Sequence, residues 1–423
     1  MKPITQIQEF ILQKQIAIIG AGTAGLAAAI FLSKQGNICD LYEEVEYPEP
    51  VGAGILLQPQ GLHVLNQLGI LDEIIDKDSL IDCLFGVNKN NKVIMDFNYS
   101  QLKSNLFGLG IHRGQLFNSL YHLAQSCISN IFCATAIKTI GQNSTSAHLT
   151  TNTGESKDYD MIVVANGNWS TLVKHLNIHY KHKVYPWGAL WKIFENPSDF
   201  SATVLNQRYV KAHTMVGLLP SGIHPISQVQ CISFFWSMHS QNYHNWKNNT
   251  ITLWKDEVLA LWPELESFIS TIVKHEDVKF VRYADTIMNK WNDRKIVIIG
   301  DAAHAMSPQL GQGANMALVD ALQLSISSKQ HPNTESALHD YSNKRRKHLR
   351  FYQKTSRLLT PFFQSNSLMA ALFRDTFFPP MKYIPLARRH ALTTLFGVKY
   401  SLLHNKTTVD LEQLNDNLKK YKT

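Results

Sequence analysis

Residues 300–315 read Gly300-Asp301-Ala-Ala-His304-Ala-Met-Ser-Pro308-Gln-Leu-Gly311-Gln-Gly313-Ala314-Asn315, a set whose types and spacing could hold a flat ligand with a polyol arm. Asp301 closes the apolar, β-branched run Lys295–Ile299, which has the length of a buried strand. A carboxylate at a strand end can accept hydrogen bonds from sugar-like hydroxyls. Pro308 then turns the chain, and Gly311 and Gly313 let bare backbone approach a planar group. The apolar spacing predicts a long helix from about Ala314. Its positive end, with the free N–H groups of Gly313, Ala314 and Asn315, would point back at that ligand.

A second set lies near the N-terminus. The strand-like run Gln15–Ile19 enters Gly20-Ala-Gly22-Thr-Ala24-Gly25, a G-x-G-x-x-G turn. A helical run Leu26–Lys34, closed by Gly36, and a strand Ile38–Tyr42 ending at Glu43 follow it. Glycines at this spacing permit a tight turn, close approach of a pyrophosphate and close helix–strand packing. Glu43 stands where a dinucleotide fold offers a carboxylate to the adenosine ribose. Ile16–Leu32 is nearly uncharged, but three glycines and its short length argue for a buried strand and helix rather than a membrane span.

The elements that must position these residues can be read in outline. The loop Val51–Pro59 leads into a helix carrying Leu62, Leu65 and Leu68. A hairpin is expected from Cys83–Val87 and Val93–Phe97 about a turn at Asn88–Asn91. His112-Arg113 precedes an amphipathic helix with Leu116, Leu120, Leu123 and Cys127. Tyr159–Ala165 is another buried-strand run. Strands Trp187–Phe194, Thr203–Arg208, Val229–Met238 and Val278–Tyr283, with a helix Trp254–Val273, make an antiparallel layer. The expected organisation is a discontinuous ligand-binding domain (1–78, 104–175 and 283–340), a substrate domain (79–103 and 176–282) and a helical region (341–423).

These residues and their order resemble the class A FAD-dependent monooxygenases, the para-hydroxybenzoate hydroxylase fold of aromatic and ubiquinone-type hydroxylases. The resemblance covers roughly residues 15–350. It implies an α/β fold: a Rossmann-like FAD-binding domain (GR2 type) interleaved with an antiparallel-sheet substrate domain, plus C-terminal helices. It makes Gly20, Gly22, Ala24, Gly25, Glu43, Arg113, Asp301, Pro308, Gly311, Gly313, Ala314 and Asn315 the FAD-binding residues, with Pro308, Gly311, Gly313 and Asn315 forming the flavin-ring loop. It also implies NADPH or NADH and O2 as co-substrates, and hydroxylation of an aromatic or quinone-like small molecule through a flavin C4a-hydroperoxide. The chain departs from the family at Asn166-Gly167-Asn168-Trp169-Ser170, where the family carries Asp-Gly, and at Val173, where it carries arginine; Lys174 is adjacent. Both changes bear on reductant binding. The acidic linker Glu43–Pro50 is a further departure.

Trp187, Trp191, Phe234, Phe235 and Trp236 offer an aromatic pocket lining, of which strand alternation turns about half away. His213, Tyr209 and His239 could orient a phenol, and none is singled out as catalytic. Two other readings stand: a flavin reductase or oxidase of an isoprenoid or quinone, and a non-catalytic FAD-binding protein supported by Asn166 and Val173. A flavin halogenase is disfavoured, because Trp187–Ile193 lacks that family's W-x-W-x-I-P pattern.

The 423 residues are 44 % hydrophobic and 17 % charged, which is ordinary for a globular chain. Five scattered cysteines without a C-x-x-C pair suit reduced thiols in a cytoplasmic protein, and no metal-ligand cluster is suggested. The net charge of +8 gathers late, in Lys344–Arg350 and Arg388-Arg389-His390. No nucleic-acid module accompanies it. Between the basic clusters lie Leu358–Phe363, Leu368–Phe373 and Phe377–Met381. Packing on the catalytic domain is expected of them, with peripheral contact to a membrane surface as the alternative.

Overall fold

The computed structural model describes residues 13–49, 52–195, 200–401 and 409–422. Pro50 and Val51, where the acidic linker meets the next loop, lie outside them. A six-stranded sheet runs in the order Asn292–Asp293, Ile296–Ile298, Met161–Val164, Gln15–Ile19, Ile38–Tyr42, Asn130–Phe132, parallel throughout except for its first pair. Parallel strands covered on both faces need apolar side chains on both faces. Ile16, Ala17, Ile18 and the whole of Met161–Val164 are accordingly buried. Helix Thr23–Ser33 packs on this sheet through the buried run Ala24–Leu32, with Ala27, Ala28 and Ala29 permitting close approach. Helix Gly313–Gln330 packs beside it. Each fully buried leucine, isoleucine or phenylalanine in this core contributes roughly 1.5–3 kcal/mol.

A seven-stranded sheet has the order Lys279–Met288, Tyr180–Glu195, Gln230–His239, Thr214–Ile223, Val204–Val210, Cys83–Asn88, Val93–Asn98. All its pairings are antiparallel except Val204–Val210 with Cys83–Asn88. Thr214–Ile223 is a strand beyond the four expected in this layer, and its Gly217, Pro220 and Gly222 are weak strand formers. It is central, with a register break between Pro220 and Ile223. The single helix expected over Trp254–Val273 is instead Ile251–Leu261 and Glu266–Ile269, divided at Pro263, which cannot continue a helix. These helices cover one face of the sheet as a separate core with Leu190, Phe234, Trp236 and Trp254.

Two expected boundaries fall inside elements. Strand Lys279–Met288 runs through 282/283, and the 30-residue helix Thr334–Phe363 runs through 340/341. Ser79–Ile81 joins a small sheet with Gly54–Leu57 and Gly108–His112 rather than the seven-stranded one. A three-stranded meander, Ile137–Gln142, Ala147–Thr151 and Ser156–Tyr159, occupies a stretch for which no element had been expected. Among the described residues, no helix is long and apolar enough to cross a membrane.

Candidate active site

The three glycines of the first turn differ in surroundings. Gly20 has φ +103°, and a β-carbon there would stand 2.7 Å from the Ala165 carbonyl oxygen. At Gly25 it would stand 1.9 Å from the Gly20 carbonyl oxygen. Both are bare because protein packs against them. Gly22 faces open space, with nothing within 4 Å of an added β-carbon. It is also the N-cap of helix Thr23–Ser33 and supplies no side-chain cap, so the helix presents N–H groups on the open side. Glu43 closes the edge of this turn, receiving the Ala21 N–H on Oε2 at 2.8 Å and the Val45 N–H on Oε1 at 3.0 Å.

The second motif meets the first directly. Gly300, at φ +62°, would bring a β-carbon within 2.8 Å of Ala24 Cβ. The next residue, Asp301, is exposed, and its Oδ1 would be 3.7 Å from a β-carbon at Gly313. The motif's carboxylate and its helix start are therefore neighbours. Pro308 and Gly311 are exposed, and Gly311 adopts the left-handed conformation at φ +60°. The helix Gly313–Gln330 has no side-chain cap at Gln312, whose amide instead donates to the Leu395 carbonyl at 2.9 Å and accepts from Gln60 at 2.9 Å.

Asn315 belongs to this loop by sequence but has a different geometry. It is fully buried; Nδ2 donates to the carbonyls of Leu56 at 3.1 Å and Gly311 at 3.0 Å, and Oδ1 accepts the Gln58 N–H at 2.8 Å. The side chain is a brace between the Gly311 turn and the segment Gly54–Gln58. Arg113 is exposed, and its aliphatic stem lies against Gly52, 2.8 Å from an added β-carbon. Its helix is capped by His112, whose Nδ1 accepts the Gly114 N–H at 3.0 Å. Burial, with His224 beside it, pushes the His112 pKa down to about 4, which keeps that nitrogen unprotonated and able to accept.

Behind Gly300 lies an ionic group that sequence reading missed. Asp320 is fully buried, accepting the Gly300 N–H at 2.9 Å, His304 Nε2 at 2.5 Å and Arg345 Nε at 2.7 Å. Burial alone would raise its pKa, but His304, Arg345 and the Gly300 N–H hold the carboxyl well below the usual range. The available signal was a lone carboxylate in the apolar helical run Met316–Leu324. Nearby, Ser307 binds the hydroxyls of Ser356 at 2.7 Å and Thr360 at 2.8 Å, which tie the residue before Pro308 to the long helix.

Alternation on the seven-stranded sheet divides the aromatic candidates. Phe234 and Trp236 belong to the core beneath the helices, away from the motifs. Phe235 faces the other way, lying over Gly217 and pairing across strands with Trp191. Ser233, on the same face as Phe235, accepts the Gly54 N–H through Oγ at 2.6 Å. That face is therefore turned to the segment which Asn315 braces. Trp187 brings two of the polar candidates together: its indole donates to the His213 carbonyl at 3.4 Å and meets the His239 ring at 4.3 Å. Tyr209 is elsewhere, buried under Arg374 and donating to Gln207 at 2.8 Å. In the departing middle motif, Val173 is a core residue, while Lys174 and Trp169 are exposed.

Open Gly22, two helix starts without side-chain caps and exposed Asp301 beside Gly313 together fit a ligand with a diphosphate and a polyol-linked ring, as in FAD. Residues 13–353 match the protein family described as FAD binding domain. The chain belongs to the class A flavoprotein monooxygenases. Among similar members of this monooxygenase family, Monooxygenase 1 of Arabidopsis thaliana is 26 % identical over 348 residues, covering 78 % of this chain and 82 % of that one. The FAD-dependent monooxygenase penM of Penicillium crustosum is 25 % identical over 415 residues, covering 88 % and 84 %. The fold is shared with Klebsiella pneumoniae HpxO complexed with FAD and uric acid, at a TM-score of 0.76, 16 % identity and coverage of 90 % and 97 %. It is shared too with the tetrameric 2-methyl-3-hydroxypyridine-5-carboxylic acid oxygenase, at a TM-score of 0.72, 23 % identity and coverage of 87 % and 97 %.

Proposed function

We propose that this flavoprotein monooxygenase uses NADPH or NADH and O2 to hydroxylate an aromatic or quinone-like small molecule. The observation that carries this reading is the sheet face bearing Phe235, Trp191 and Ser233, fastened at Gly54 to the loop that Asn315 braces against Gly311. An apolar, aromatic wall turned to a flavin site suits a flat substrate and keeps water from the reacting atoms.

In this reading the Gly22 turn and the start of helix Thr23–Ser33 bind the diphosphate, and Glu43 serves the adenosine ribose. Exposed Asp301 would accept hydrogen bonds from the ribityl hydroxyls. The N–H groups at Gly313 and Ala314, at an uncapped helix start, would hold the ring and supply positive dipole to negative charge on it. The Asn315 side chain, taken up by Leu56, Gly311 and Gln58, would orient that helix start. FAD, when bound, supplies hydride acceptance and activation of O2. The nicotinamide passes without a fingerprint of its own, and exposed Lys174 offers a cation beside the altered Asn166 motif.

The test is anaerobic mixing of FAD-loaded protein with NADPH or NADH, with and without a pool of phenols and quinones, following loss of the oxidised flavin absorbance. Bleaching accelerated by the pool is expected. Fast bleaching indifferent to the pool would replace the hydroxylase reading with a reductase. A flavin that no nicotinamide bleaches would favour an FAD-binding protein without turnover.

A further inference from the structure

The helices after Leu358 present an apolar face that the protein leaves uncovered. On helix Leu368–Phe377 the inner positions are Ala371 and Arg374, both buried. Arg374 stacks on Tyr209 at 5.0 Å and Phe363 at 5.5 Å, donates to the Phe362 carbonyl at 2.9 Å and pairs with Asp375 at 2.7 Å. Asp375 in turn accepts from Asn88 of the seven-stranded sheet at 2.8 Å. The helix is thus held firmly by one side. Its other side carries Leu368, Met369, Leu372, Phe373 and Phe377, and Tyr383, Ile384 and Leu386 continue the patch, each between 47 and 77 % exposed. Large side chains concentrated so heavily on one exposed surface mark an interaction site.

Charge selects the occupant. From Lys344 to Lys399 the chain has twelve lysines and arginines and one carboxylate, Asp375; Arg345 and Arg374 are buried, and Lys344, Arg357 and Lys382 pair with Asp340, Asp285 and Asp96, so the charge at this face rests on the exposed cations. Lys354, one turn before exposed Leu358, and Arg388 and Arg389, just after Leu386, all reach solvent. A second copy of the chain docked on this face would bring like charges together. An anionic surface would not. None of the described helices can cross a membrane, so the apolar side chains can enter only the interfacial layer.

We propose that residues 358–389 form an interfacial membrane anchor that docks this enzyme on an anionic lipid bilayer, with Leu368, Leu372, Phe373, Phe377 and Leu386 entering the headgroup boundary and Lys354, Arg388 and Arg389 contacting lipid phosphates.

The experiment is co-sedimentation of the full-length, FAD-loaded protein with vesicles of phosphatidylcholine alone or mixed with phosphatidylglycerol, at low and high salt. The protein should pellet with the mixed vesicles, less so at high salt, and little with phosphatidylcholine alone. Arg388→Gln with Arg389→Gln should weaken the apparent affinity about five-fold for each arginine removed. Leu372→Ser with Phe373→Ser should release the protein and lower its thermal unfolding only slightly, since Leu372 is exposed and half-exposed Phe373 gives up only its ring contacts with Phe362 and Phe377. Protein that stays in solution with the mixed vesicles at low salt overturns the proposal, as does undiminished binding of both variants. Light scattering gives the rival outcome: a dimer without vesicle binding, dissolved by the Leu372 and Phe373 changes, would assign the face to a second copy. Vesicle binding requires no turnover, so it stands or falls separately from the hydroxylase reading.

Discussion

Gly300 rests on the methyl group of Ala24: a β-carbon added to the glycine would stand 2.8 Å from that of the alanine. One residue ends a parallel strand and the other opens the helix after a different parallel strand. Their contact sets the separation of the two glycine turns.

Gly300→Ala should therefore destabilise the fold by about 1–3 kcal/mol, from overpacking and from a side chain held at φ +62°. It should also lower the fraction of protein purified with FAD. Adding Ala24→Gly should recover the packing part and leave the backbone part, which a double-mutant cycle in urea unfolding will separate.

Asn315 satisfies two carbonyls and one N–H with a single amide. Asn315→Ala should cost roughly 1–3 kcal/mol, and Asn315→Asp more, because a carboxylate would face the carbonyl oxygens of Leu56 and Gly311. Calorimetric unfolding of the two variants checks the order.

Asp320→Asn takes away the negative charge and one of the two oxygens that accept from buried Arg345 and His304. Asp320→Asn should cost about 3–5 kcal/mol in equilibrium unfolding. The carboxyl's pKa is depressed in the folded protein, so its contribution is present above the unfolded carboxylate value and is lost only in strong acid. Wild type and variant should therefore differ by a constant amount between neutral and mildly acidic pH.

His112 should impose a pH dependence in a different window. Its folded pKa of about 4 lies below the ordinary 6.5, so the unfolded chain binds the extra proton first. Stability from this group is complete above pH 6.5 and is lost as pH falls toward 4. His112→Asn keeps a capping acceptor that does not titrate, and its unfolding midpoint should vary less across that window.

Adjacent aromatics should separate function from stability. Trp236→Ala removes a core side chain beneath the helices and should cost roughly 3–5 kcal/mol. Phe235→Ala should change stability far less but raise the share of NAD(P)H consumed without product, measured as peroxide released per hydroxylated product. Equal uncoupling by both variants would count against the Phe235 face as the substrate wall.

Much of this protein was determined locally and is legible in its sequence. Apolar runs before Gly20 and Gly300 specify buried strands, and the glycine spacing specifies turns that only bare backbone can make, so the parallel layer and its two motifs follow from neighbours in the chain. What each motif residue touches was decided by distant segments. Asn315 became a brace because Leu56 and Gln58 arrive beside it, and Asp320 became the hub of a buried ionic group because Arg345 arrives from the long helix. Strand Thr214–Ile223 forms despite its glycines and proline, since cross-strand partners on both sides outweigh weak local propensity, and Gly217 is where the Phe235 ring needs room. The same holds for the aromatics: alternation requires Phe235 and Trp236 to part, but only sheet packing decided which meets the helices and which turns to the motifs. Periodicity and turn chemistry act over a few residues, whereas pairing, burial and charge satisfaction depend on segments the chain brings together only when folded.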